Sequence, residues 1–94
     1  MRVWALGGGE LLAPFTALLA CELEPSGSVG RHVQEHFPEV IIFLEGSGNV
    51  SVDAERIAVT AGSVVQLPLG KVLAIDNTSD DAPLRYLIIK ARTE

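Results

Sequence analysis

Turn-forming residues recur so closely along these 94 residues that no long helix has room to form. Pro25-Ser26-Gly27, Phe37-Pro38, Gly46-Ser47-Gly48, Ala61-Gly62, Pro68-Leu69-Gly70 and the polar stretch Asn77 to Asp81 each stop the chain after a short run. No run keeps a helical apolar period over ten residues, whereas several alternate with period two. The runs are Arg2 to Leu6, Phe15 to Glu24, Val29 to His36, Glu39 to Glu45, Asn49 to Val52, Glu55 to Val59, Ser63 to Leu67, Lys71 to Asp76 and Leu84 to Ala91. Asn49 to Val52 and Glu55 to Val59 face one another across Asp53-Ala54 as a hairpin. Short strands with such regular turns predict one all-β domain over 1–94, an antiparallel sandwich or barrel. Gly7-Gly8-Gly9 lacks the spacing and the following helix of a dinucleotide loop, so it reads as a linker or tight loop.

The faces of the runs carry further information. Ala17, Leu19, Cys21 and Leu23 share one face of the second run, opposite Thr16, Leu18, Ala20, Glu22 and Glu24. Cys21 is therefore expected as a small buried side chain, with no cation near it in sequence to activate the thiol. As the sole cysteine it makes no internal disulfide, and with no signal-peptide pattern it predicts a cytoplasmic setting. In the fourth run Val40, Ile42 and Leu44 alternate with Glu39, Ile41 and Phe43, so both faces are apolar and the outer one needs a cover. Hydrophobic residues make up 48% of the chain and its mean hydropathy is +0.33. A barrel this small has a large surface for its volume, so part of that apolar surface is expected against a second copy, as a homodimer. The net charge of −5, with no basic stripe, argues against nucleic acid and anionic membranes. The apolar runs fall far short of the ~20 residues of a membrane helix. Trp4, Phe15, Phe37, Phe43 and Tyr86 are too dispersed to stack on bases and are assigned to core or dimer packing.

One stretch gathers polar chemistry. Gly27 to Gly46 places His32, Gln34, His36 and Glu39 just ahead of Val40 to Leu44. Gly27 precedes His32, Val33 separates His32 from Gln34, Glu39 follows after four residues, and six residues later comes Gly46. Further on, Gly62 is followed by five residues, then Pro68-Leu69-Gly70, Lys71, Val72, Leu73 and, after three more, Asn77. These offsets resemble the two motifs of the cupin superfamily, motif 1 over about 27–46 and motif 2 over about 62–77. Gly27 stands one residue closer to His32 than is usual for the family. Gln34 and Leu73 occupy two positions where the family carries metal-binding histidines.

The resemblance implies an antiparallel β-barrel of the double-stranded β-helix or jelly-roll type, and a site inside it. His32 and Glu39 are the surviving metal-type residues and the candidate catalytic pair. With Gln34 through its amide oxygen, they form the candidate ligand set for a divalent Fe, Mn, Ni, Cu or Zn ion. His36 is the alternative third ligand, although on a regular strand it lies ~13 Å beyond His32, against ~6.5 Å for position 34. The other reading is a polar-lined barrel holding no metal tightly, in which His32, Gln34 or water satisfies Glu39. Gln34, His36, Gln66 and Leu73 are the candidate ligand-binding residues, Leu73 as an apolar wall and Gln66 as an interior side chain in phase with Val64. The leading functional expectation is a small-molecule-binding protein with a degenerate metal site. The alternatives are a metal-dependent enzyme of dioxygenase, isomerase or decarboxylase type, and a structural or regulatory partner of another protein.

Overall fold

The computed structural model describes residues 1–6 and 11–92, so the glycine triplet at 7–9 lies outside the described residues. Among the described residues there are nine strands and no helix. They are β1 (Arg2–Ala5), β2 (Phe15–Leu23), β3 (Ser28–Val33), β4 (Glu39–Glu45), β5 (Ser47–Val52), β6 (Glu55–Thr60), β7 (Val64–Leu67), β8 (Val72–Asn77) and β9 (Leu84–Ala91). Two antiparallel sheets form, one in the order β1-β2-β9-β4-β7 and one in the order β3-β8-β5-β6. The expected all-β jelly roll is thus the observed architecture. Strand β3 stops at Val33 rather than continuing to His36. Beyond it the backbone of Gln34 bonds to the turn before β8, Gln34 N donating to Lys71 O at 3.0 Å and Gly70 N to Gln34 O at 2.8 Å.

The core lies between the sheets and follows the period of two. Leu23, Ile41, Phe43, Val50, Leu73, Ile75, Leu84 and Tyr86 are all fully buried. Phe43 and Tyr86 pack ring on ring, centroids 5.4 Å apart at 42°. The other three aromatics, Trp4, Phe15 and Phe37, are exposed and take no part in this core. Cys21 is buried, as its face predicts.

The expectation for the seventh run is corrected. Val64 and Gln66 are exposed, whereas Val65 and Leu67 fill the interior. The cause is register: Leu67 pairs with Glu39 and Gln66 with Val40, so Leu67 takes the inward phase and Gln66 the outward one.

The motif residues that carry no chemistry hold the turns. Gly46 joins β4 to β5 at φ +95, and a Cβ there would sit 2.4 Å from Pro83 O. Both conditions require glycine. Asn77 is buried at the end of β8. Its amide donates to the carbonyls of Leu23 (3.1 Å), Glu24 (3.1 Å) and Ala82 (2.8 Å), and its oxygen accepts from Ser79 N (2.9 Å). One side chain thereby ties the end of β2 to the loop before β9.

Candidate functional site

Of the polar residues of motif 1, Gln34 and Glu39 meet in a buried hydrogen bond at one end of the barrel, while His32 and His36 are exposed. Glu39 is the first residue of β4 and pairs with Lys90 of β9 on one side and Leu67 of β7 on the other. The pairing gives its side chain the inward phase of Ile41 and Phe43, and it is buried, with 5% of the residue exposed. An ionised carboxylate at such depth needs partners. Gln34 supplies the first: its Nε2 donates to Glu39 Oε2 at 2.7 Å and to Phe37 O at 2.8 Å. Both acceptors are oxygens, so the amide must present its nitrogen here, and both of its protons are spent. Lys90 supplies the second, its Nζ standing 3.7 Å from the same Oε2. That distance is an ion pair without a hydrogen bond.

His32 lies directly opposite Leu73 across β3 and β8. Its Nδ1 is 3.2 Å from Gly30 O on its own strand. Leu73 is fully buried and forms an apolar wall. His36 is exposed, tilted against Phe37 with ring centroids 6.3 Å apart, and belongs to the rim. Gln66 is turned to the outer surface of the sheet.

Three hollows touch this end, one of about 320 Å³ lying on the Gln66 side against Phe15, Pro38, Glu39 and Ile89. An inner cavity of about 190 Å³ is lined by Leu19, Cys21, Val29, Leu73, Ile75, Tyr86 and Ile88, together with Met1 and Val3, and by His32, Glu39 and Lys90. An outer cleft of about 310 Å³ is lined by residues 32–37 and Lys90. His32 and Lys90 line both and stand at their shared boundary, the neck.

The thiol and the phenol of the inner cavity are held neutral. Burial pushes the Cys21 thiol up to about 11, with the nearby Glu39 carboxylate adding to the rise and Lys90 opposing it. Burial also raises the Tyr86 phenol, helped by Cys21, Glu39 and Glu24. Its hydroxyl donates to Met1 Sδ at 3.3 Å. At neutral pH neither group is a nucleophile.

The residues present do not fit a tightly held metal. A metal at Glu39 needs lone pairs from its neighbours, but Gln34 turns its protons toward the carboxylate, and Leu73 has nothing to offer. Among the described residues no three of His, Cys, Asp and Glu gather at metal-binding distance.

Sequence reading found His32, Gln34, Glu39 and Leu73 and missed Lys90, Tyr86 and the pocket role of Cys21. Lys90 was within reach. Leu84, Tyr86, Ile88 and Lys90 alternate along β9, and the first three mark the inward phase.

The comparisons agree with this architecture. Among curated proteins no sequence matches this chain. Similar solved structures include a cupin 2 conserved barrel domain protein from Salinispora arenicola, at 28% identity and TM-score 0.77, covering 94% of this chain and 73% of that one. A predicted oxalate decarboxylase from Thermotoga maritima is similar at 25% identity and TM-score 0.79, over 85% of this chain and 69% of that one. The cupin domain of Schizosaccharomyces pombe Cnp3 shares the fold at 20% identity and TM-score 0.85, over 97% of this chain and 64% of that one. The cupin-domain family model matches residues 19–90, taking in both motifs and the strands on either side of them, and the chain belongs to that family.

Proposed function

We propose that the protein binds a small organic molecule in the inner cavity without a metal. The observation that carries this reading is the neutralisation of Glu39 by the chain itself, through the Gln34 amide at 2.7 Å and the Lys90 ammonium at 3.7 Å. The cavity is mainly apolar with a few convergent polar groups at one end, the usual make-up of a small-molecule site. Metal-dependent chemistry would need a third ligand that Gln34 does not provide in this orientation. The test is thermal stability of chelator-treated protein against a panel of small neutral and charged compounds. The reading predicts that some raise the melting temperature with chelator present, and that Ile88→Phe, which fills the cavity, removes the effect. Stabilisation that appears only when metal is added would refute it.

The same proposal includes a cytoplasmic homodimer. Trp4, Ala20, Leu87, Ile42 and Val64 form a continuous apolar row across the outer face of the five-stranded sheet, and Leu18, Ile89 and Val40 form the next. The row beyond is charged, with Arg2 bonded to Glu22 at 2.6 Å, and Arg85 to Glu22 at 2.8 Å and to Glu45 at 2.6 Å. An apolar centre with a polar rim is the make-up of a protein interface. Among the described residues no helix is long and apolar enough to cross a membrane.

A further inference from the structure

We propose that the neck between the inner cavity and the outer cleft binds a neutral head group offering a hydrogen-bond acceptor and a donor side by side, the short-chain carboxamide being its simplest form. The inference rests on the small-molecule reading above and names the ligand's chemistry.

The argument starts from what the neck leaves unpaired. Lys90 Nζ is 3.7 Å from Glu39 Oε2, beyond hydrogen-bonding distance, and it donates to no other acceptor among the described residues. An ammonium has three protons to give. On Glu39, Oε2 is taken by Gln34, whereas Oε1 receives no donor among the described residues. Glu39 and Lys90 both line the inner cavity. A donor on Lys90 and an acceptor on Glu39 therefore stand next to each other at the same mouth. Gln34 has no amide proton left to give a ligand, because both are committed.

Charge selects among the head groups that could use this pair. Glu39 and Lys90 cancel. An anion drawn to Lys90 would stand against the buried carboxylate, and a cation drawn to Glu39 would stand against the ammonium. Repulsion between like charges at this separation opposes both. A neutral head with a carbonyl for Lys90 and an N–H or O–H for Glu39 satisfies both groups and adds no charge. Size and polarity select the rest. The inner cavity of about 190 Å³ holds roughly six waters' worth of volume. Leu19, Val29, Leu73, Ile75 and Ile88 make its walls apolar. They suit a short, branched hydrocarbon body.

Four probes with one branched body test this: isobutyramide, isobutyrate, isobutylamine and methyl isobutyrate. Each is titrated into the chelator-treated full chain, followed by the methyl resonances of Leu73, Ile75 and Ile88. The proposal predicts that isobutyramide moves these resonances and binds about tenfold or more tighter than the other three, the gain expected from one extra hydrogen bond to a charged group. Lys90→Met should lose that preference, and Lys90→Arg, which keeps the donors, should retain it. Isobutyrate or isobutylamine binding as tightly as the amide would overturn the proposal while leaving a small-molecule site in place. A failure of every probe to move the three methyls would overturn both.

Discussion

At position 34 an imidazole would give Glu39 a neighbour able to share a metal; the carboxamide gives it two protons, one for Glu39 and one for Phe37 O. Removing that amide by Gln34→Leu strands a buried carboxylate beside a lysine too far away to hydrogen-bond. The expected cost is about 2–3 kcal/mol, read as a fall in the free energy of urea unfolding. An unchanged midpoint would show that the amide does not hold the carboxylate. Cys21 makes a second prediction at this scale. Its thiol is raised from 9.0 to about 11 in the folded chain, so above pH 9 the unfolded chain loses a proton that the folded one keeps. Unfolding is thereby favoured as pH rises, and stability falls by about 2 kcal/mol between pH 9 and 11. The burial of Tyr86 acts in the same direction at higher pH. Cys21→Ala should flatten the decline between pH 9 and 11; a slope unchanged by that substitution would assign the loss to other groups.

Strands, not single residues, decide which side chains reach the site. The period of two was legible along β2, where Ala17, Leu19, Cys21 and Leu23 share the inward face, whereas β4 is apolar on both faces and declares neither. Strand β7 has only four residues, Val-Val-Gln-Leu, and both phases look plausible until its pairing with β4 sets Leu67 opposite Glu39. Gln66 was misplaced for that reason. His36 was read into a strand that ends at Val33, because the backbone bonds of Gln34 with Lys71 and Gly70 were not visible in the local pattern. Lys90 was overlooked because a charged residue at the end of an apolar strand reads as solvated, although its phase matches Tyr86 and Ile88. The turns were the most legible parts, since their requirement is steric. Gly46 at φ +95, against Pro83 O, is such a position. Gly46→Ala should cost about 1–3 kcal/mol by strain alone, measured by thermal melting. A neutral result would mean that the β4–β5 turn relaxes freely.

The whole molecule presents one sheet face that its own chain leaves largely uncovered. Trp4 and Val64, at the two ends of the apolar row, are 47% and 56% exposed. A second copy over this row would bury it, and the dimer should scatter light with twice the 10.0 kDa mass of the chain. Ile42→Glu, at the middle of the row, should return it to the monomer mass. A wild-type chain that stays at 10.0 kDa at high concentration contradicts the dimer. The central claim concerns the barrel's polar end, where Gln34 and Lys90 satisfy Glu39 without a metal. Calorimetric titration of zinc into the tag-free wild-type protein, and into a chain carrying Gln34→His with Leu73→His, tests it most directly. His32 and Leu73 already face each other across β3 and β8, so the double variant is expected to bind one zinc per chain. The wild-type protein is expected to bind none at this site. One zinc per wild-type chain, lost on Glu39→Ala or His32→Ala, would contradict the account.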